Sequence, residues 1–172
     1  MLHQSLFYTS EMEDFEHVYE QNKDFVFRVV YKMVQNQQIA EDLVQDTFIR
    51  VFEKREKFQA KSTLKTWIFR IATHITLSYL AREKTRNNAR FIWPFQHDDF
   101  SQEIESSVDV DQLKKWLKEV TPSYRICLIL KETEDLSYQD IAQTLGININ
   151  TVRSRINRAK KQLVTLSRRR IK

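Results

Sequence analysis

The sequence has little of the chemistry that makes tight turns and crosslinks, because its 172 residues include one glycine, two prolines and one cysteine. This scarcity excludes the hairpin turns of antiparallel sheets and Gly-rich phosphate-binding loops. The single cysteine, Cys127, excludes an internal disulfide framework and is typical of a reducing compartment. No run approaches the roughly 18 apolar residues of a membrane helix, and the acidic start is unlike a signal peptide. We therefore expect an all-helical, cytoplasmic protein.

The residues required for common enzymatic sites are also missing. The four histidines lie far apart in the sequence, with no cysteine or carboxylate at metal-ligand spacing beside them. One glycine is too few for a Walker phosphate loop. We expect no catalytic residue, no metal site, no cofactor and no small-molecule substrate.

Charge is distributed in blocks along the chain. Residues 25–90 and 122–172 each carry a net charge of +7, whereas residues 1–24 carry −5 and residues 91–121 carry −4. Two basic blocks around an acidic segment indicate two modules that face a polyanion. Ordinary solvated surface explains the charge blocks, taken alone, equally well.

Apolar periodicity predicts three helices in the first half of the chain. The first begins at Phe15 and continues through Val30, where β-branched and aromatic residues also permit a strand, but the lack of turn residues favours a helix. Residues 40–52 and 64–78 repeat apolar side chains at three and four positions, which predicts two amphipathic helices that bury Phe52 and Trp67. Ser62 is a candidate cap for the third helix. These helices form a first compact unit.

The second half contains the strongest local pattern, LSYQDIAQTLGININTVRSRINRAKKQL at residues 136–163. Ser137 and Asp140 resemble a capping box, and Gly146 falls where a helix ends in a left-handed residue. Asn148 or Asn150 can cap the next helix. Two short helices joined at a glycine, the second with a basic exterior, form a helix-turn-helix. The inward residues of the second helix are Val152, Ile156, Ala159 and Leu163.

The outer face of this second helix suits DNA. Arginine and asparagine can read base edges in the major groove, while serine and threonine hydroxyls reach phosphates. The alternative is an ordinary helical hairpin with a solvated basic face. The candidate residues for duplex DNA are Thr151, Arg153, Ser154, Arg155, Asn157, Arg158 and Lys161.

Residues 136–163 resemble the promoter-reading helix-turn-helix of bacterial extracytoplasmic-function (ECF) sigma factors, and TVRSRINRAKKQL is close to that family's usual pattern. Two further segments, AEDLVQDTFIRVF at 40–52 and STLKTWIFRIATH at 62–74, resemble helices of the sigma-70-type region-2 domain. The resemblance implies an all-α fold with two small helical domains, residues 1–93 and 109–172, joined by a flexible acidic linker at 94–108. Two positions depart from the pattern: Asn150, where glycine is frequent, and His74, where asparagine is usual.

The second predicted helix has an acidic stripe on its outer face. Such a stripe is unfavourable for DNA and suits a basic protein partner, although a plain solvated face is the alternative. In the ECF family this helix docks on the clamp helices of the largest polymerase subunit. The resemblance therefore implies that core RNA polymerase is bound by the stripe formed by Asp42, Gln45, Asp46, Ile49 and Glu53.

Basic and aromatic residues alternate from residue 57 to residue 74. This combination suits single-stranded DNA, because bases stack on rings while phosphates contact cations. Phe58 and Phe69 are the aromatic residues expected to contribute, whereas Trp67 is expected in the core. The resemblance places recognition of the −10 element on a surface comprising Phe58, Lys61, Lys65, Thr66, Arg70, Thr73 and His74.

We interpret the chain as an ECF-type sigma factor that recognises −35 duplex and opens −10 DNA. Its expected partners are core RNA polymerase and promoter DNA, with an anti-sigma factor as a further partner implied by the resemblance. Two other functions remain open. One is a DNA-binding regulator that acts without polymerase through its C-terminal module, and the other is a helical protein-interaction adaptor with incidental basic faces.

Overall fold

The computed structural model describes residues 14–89 (side chains through 86) and 110–168, and these residues contain seven helices and no strand. The first three are α1 (Phe15–Val34), α2 (Gln37–Lys54) and α3 (Leu64–Ala89), with a 3-10 turn at Arg55–Lys57. The other four are α4 (Val110–Glu119), α5 (Pro122–Glu132), α6 (Tyr138–Leu145) and α7 (Ile149–Arg168). The all-α prediction is confirmed. The predicted linker at 94–108 lies outside the described residues.

Side-chain caps determine where the first helices begin. Asp14 caps α1 and Asn36 caps α2, each through a side-chain oxygen that accepts a backbone N–H three residues later. The cap of α3 is Thr63, whose hydroxyl accepts the N–H of Thr66 at 3.1 Å. The prediction of Ser62 as this cap was therefore wrong by one residue.

Helices α1, α2 and α3 pack together as the first unit. The β-branched stretch of α1 is helical, as predicted, and buries Val26, Val29 and Val30. Phe52 departs from the predicted inward stripe of α2 and is 46% exposed. The reason is that its ring lies at the open end of the α1–α2 interface, where it contacts the ring of Phe15 with centroids 5.1 Å apart.

The second unit is built around α5. Pro122 occupies the first turn of this helix, and the apolar run at residues 126–130 is entirely buried, including Cys127. Arg125 is only 2% exposed and donates from Nη1 to the carbonyls of Leu117 and Lys118, both at 3.0 Å, so it closes the end of α4. Burial lowers the pKa of Arg125 to about 10, and the group remains charged at neutral pH.

The two units pack against each other, which the sequence did not predict. Helix α3 contacts α5 and α6, and α1 contacts α5. Ile126 of α5 faces the first unit, where it lines a small cavity with Met33 and Phe69. Polar contacts surround this apolar interface, among them a hydrogen bond from Arg70 Nη2 to the carbonyl of Gln143 at 2.6 Å. Part of the −10 surface predicted on α3 is consequently covered.

Candidate DNA- and protein-binding surfaces

Helices α6 and α7 form the predicted helix-turn-helix. The Ser137 hydroxyl accepts the Asp140 N–H at 3.1 Å, and the Asp140 carboxylate accepts the Ser137 N–H at 3.2 Å, so the capping box is confirmed. Gly146 ends α6 with a φ of 64°, the predicted left-handed conformation. Of the two asparagines considered as caps for α7, Asn148 directly precedes the helix and accepts the N–H of Asn150 at 2.8 Å.

Helix α7 presents most of the predicted residues to solvent. Val152, Ile156 and Ala159 are at most 1% exposed and fix the inward face. Arg155 is half-buried and lies beside the thiol of Cys127, where burial raises the thiol pKa and the nearby arginine partly opposes that rise. Thr151 is also half-buried. The exposed members of the predicted set are Arg153, Ser154, Asn157, Arg158 and Lys161.

Contacts within the second unit orient two of the cations of α7. Arg158 donates from Nη1 to the hydroxyl of Tyr124 at 3.2 Å, and its guanidinium lies 5.7 Å from the centroid of that ring. Lys160 pairs with Glu132 at 2.9 Å. Tyr124 was missed in the sequence because it lies on α5, and helical periodicity does not show which distant helix a long side chain contacts.

The acidic stripe of α2 is exposed along its whole length. Ile49 is 52% exposed and lies between acidic neighbours. Beside it, α1 and α2 enclose an open groove of about 880 Å³. Aromatic rings line this groove, with those of Tyr19 and Phe48 at a centroid distance of 4.8 Å. The stripe residues that are exposed are Asp42, Gln45, Asp46, Ile49 and Glu53.

The residues predicted for −10 DNA fall into an accessible group and a covered group. Lys61, Lys65 and His74 are exposed. Thr66 is half-buried, and Phe58 is half-buried with its ring 5.2 Å from that of Trp67. Trp67 is half-buried and packs against the core, as expected.

The covered group lies under the second unit. Thr73 is 8% exposed, so the expectation that it contacts −10 DNA is wrong in this arrangement. Phe69 is 2% exposed, so its ring is not available to stack on DNA bases as expected. Arg70 remains exposed, but its guanidinium donates to the carbonyls of Gln143 and Thr144 at 2.6 and 3.5 Å. Arg70 binds there because the carbonyls in the last turn of α6 have no hydrogen-bond donor within the helix. A cation is also attracted to the negative end of the helix dipole.

The chain matches two family models, Sigma-70 region 2 over residues 18–86 and Sigma-70, region 4 over residues 111–163. ECF RNA polymerase sigma factor SigC of Mycobacterium tuberculosis is 31% identical over 129 residues, which cover 73% of this chain and 68% of that protein. The chain belongs to the ECF sigma factors of the sigma-70 family. It is therefore a promoter-specific transcription initiation factor and not an enzyme.

Two other proteins resemble this sigma factor over most of its length. ECF RNA polymerase sigma factor SigE of Mycolicibacterium smegmatis is 34% identical over 160 residues, which are 88% of this chain but only 61% of that protein. The sigma factor RpoE from Bartonella quintana, solved in complex with the anti-sigma factor NepR, has a TM-score of 0.70 and 28% identity. That match covers 91% of this chain and 98% of RpoE.

The two family models coincide with the two packed units of this sigma factor. Region 2 corresponds to α1–α3 and region 4 corresponds to α4–α7. Among the helices in the described part of the chain, none is both long and apolar enough to span a membrane.

Proposed function

We propose that this sigma factor binds core RNA polymerase through α2 and promoter DNA through α3 and α7. It acts in the cytoplasm, and its two domains occupy residues 1–93 and 109–172 with a linker at 94–108. The observation that carries the proposal is the combination of an exposed acidic stripe on one unit with a helix-turn-helix on the other. A regulator that acted through its C-terminal module alone would have no use for that stripe.

The polymerase contact rests on the chemistry of α2. Asp42 and Asp46 offer negative charge to a basic partner, and Ile49 offers apolar area that is 52% exposed in the free chain. The adjoining aromatic groove extends this apolar area toward α1. A protein surface with basic and apolar residues fits this combination, whereas DNA does not.

We expect Asp42→Arg combined with Gln45→Ala to abolish binding to core polymerase. Reversing one charge of a desolvated pair costs ~2–5 kcal/mol. Helical content should not change, because both side chains are exposed. Titration of labelled core enzyme measures the affinity, and circular dichroism measures the helix content.

A matched control is Glu119→Arg, which reverses one exposed acidic side chain on α4. It should leave the affinity for core polymerase unchanged. If the double variant and the unmodified chain bound core polymerase with equal affinity, α2 would not be part of the polymerase interface.

The DNA contacts divide between the two units. The exposed residues of α7 read the −35 duplex, with Thr151 and Arg155 at the margins of that face. Lys61, Lys65 and His74, with Phe58 and Thr66, contact −10 DNA in the packed arrangement. In the packed arrangement Arg70 is hydrogen-bonded to the second unit, and Thr73 is buried beneath it. These two residues therefore contact −10 DNA only after the second unit moves away from α3.

An anti-sigma factor is a further proposed partner. The support is the likeness to RpoE, which was solved in complex with the anti-sigma factor NepR. Such a partner would cover both the acidic stripe of α2 and the basic face of α7 from Arg153 to Arg158, since both of these functional faces are exposed.

A further inference from the structure

An acidic side chain of the second unit is held between two cations of α1. Glu134, in the turn between α5 and α6, has a side chain that is only 7% exposed. Its Oε1 accepts from Lys32 Nζ at 3.0 Å, and its Oε2 lies 3.7 Å from Arg28 Nη2. The hydroxyl of Thr133 lies 3.4 Å from Oε1, but it has a closer acceptor in the carbonyl of Ile129 at 2.8 Å. Two cations that hold a carboxylate in this way have the charge and the donors to hold a phosphate.

The surroundings of these cations resemble a surface for single strands. Arg28 and Lys32 are four residues apart and therefore share one face of α1. One turn earlier on that face, the ring of Phe25 is half-buried, with Lys65 Nζ 4.2 Å and the Arg28 guanidinium 5.8 Å from its centroid. Cations grouped around an aromatic ring suit single-stranded DNA. Because Lys65 is also one of the proposed −10 residues, the two surfaces are continuous.

We propose that Arg28 and Lys32 bind phosphates of the single-stranded promoter DNA beside the −10 contacts, and that Glu134 occupies their site while the two units are packed. This inference rests on the proposed −10 surface and extends it from α3 onto α1. The side chains of Arg28 and Lys32 are 52% and 35% exposed, so a DNA phosphate can reach both cations and displace the carboxylate. Binding of the strand and packing of the second unit therefore compete for the same two cations.

The first test uses the reconstituted holoenzyme. The probe is a fluorescein-labelled single-stranded oligonucleotide from the non-template strand of a promoter that the holoenzyme transcribes, titrated at several salt concentrations. Arg28→Ala and Lys32→Ala should each weaken binding several-fold and make the slope of log K against log salt shallower by about 0.7. The control is Lys115→Ala, which removes an exposed cation of α4 and should leave the slope unchanged.

Slopes of Arg28→Ala and Lys32→Ala equal to that of the unmodified chain would overturn the inference, because the two cations would then serve only to hold the units together. This failure is distinguishable from a failure of the proposed function. In the latter case the unmodified chain itself would form no holoenzyme in a titration with core polymerase.

The second test concerns Glu134 and uses the free full-length chain with the same oligonucleotide. Glu134→Gln removes the competing charge with little change in shape, so it should tighten binding several-fold. The gain should disappear when Arg28→Ala and Lys32→Ala are added to Glu134→Gln. A gain that persisted in the combined variant would show that Glu134 does not compete for these two cations, and would overturn this part of the inference.

Discussion

Arg153 and Lys161 lie about two turns apart on α7, and we expect them to have different roles. Arg153 is near the helix start, the end that enters the major groove in this motif. Arg153→Ala should therefore relax base preference at one −35 position by ~1–3 kcal/mol. Lys161 lies where a straight helix has begun to leave the groove and pass phosphates. Lys161→Ala should weaken all sequences alike and make the salt slope shallower by about one.

Affinities for a panel of single-base −35 variants, measured at several salt concentrations, test both halves of this prediction. A uniform loss of affinity across the panel for Arg153→Ala would contradict its role in sequence reading. A base-specific loss for Lys161→Ala would contradict its assignment to phosphates.

At the scale of residues, the direction of short side chains was predictable and the contacts of long ones were not. Periodicity correctly placed Val152 and Ile156 inward and Ser154 outward, because a straight helix repeats every 3.6 residues. Arg155 was expected on the outer face, yet it is half-buried beside Cys127. A long side chain can bend toward a neighbouring helix, and a pattern within one helix carries no information about that neighbour.

At the scale of elements, Gly146 sets the turn between α6 and α7 through its backbone conformation. Gly146→Ala should destabilise the protein by roughly 1–2 kcal/mol, the cost of a left-handed conformation for a residue with a Cβ. Space does not contribute, because the nearest atom to an added Cβ is Arg70 Nε at 3.9 Å. Chemical denaturation measures the free energy of unfolding.

A suitable comparison for this variant is Gln143→Ala, an exposed position within α6, which should change the free energy of unfolding by less than about 0.5 kcal/mol. If Gly146→Ala were as stable as Gln143→Ala, the φ of 64° would not be what requires glycine here.

The sequence predicted which segments form helices more accurately than it predicted where those helices begin and end. Strong amphipathic repeats predicted α2, α3 and α7, and the capping box together with Gly146 predicted the turn between α6 and α7. The errors lie at ends: Thr63 rather than Ser62 caps α3, and Phe52 in the last turns of α2 is exposed. A prediction from periodicity assumes that another helix packs along the whole apolar face of α2. At the end that contains Phe52, however, α1 and α2 leave an open groove.

At the scale of the whole molecule, two units from basic stretches of sequence pack together through contacts that offset their like charge. Arg70 binds carbonyls at the end of α6, and Glu134 lies between Arg28 and Lys32. These contacts join residues 73 to 106 positions apart in the sequence. The sequence could not predict them, because periodic patterns report only on neighbours within one helix. They matter for function because they bury Thr73 and engage Arg70 in hydrogen bonds, so neither side chain is available to −10 DNA.

Arg70→Ala should loosen the packing of the two units. The variant leaves carbonyls of α6 without their cationic partner, while the apolar contacts around Ile126 remain. Small-angle X-ray scattering of the free chain should show a larger radius of gyration for Arg70→Ala, and no change for Lys115→Ala. Identical scattering from Arg70→Ala and the unmodified chain would show that Arg70 does not hold the units together.

The central claim is that the chain confers promoter-specific initiation by binding polymerase and DNA together. Run-off transcription with core RNA polymerase and a promoter library tests it most directly. We expect discrete transcripts that require both the chain and core enzyme, that share −35 and −10 sequences, and that are lost with Asp42→Arg and Gln45→Ala. The account would be contradicted if the chain bound library DNA but produced no transcripts and did not associate with core polymerase.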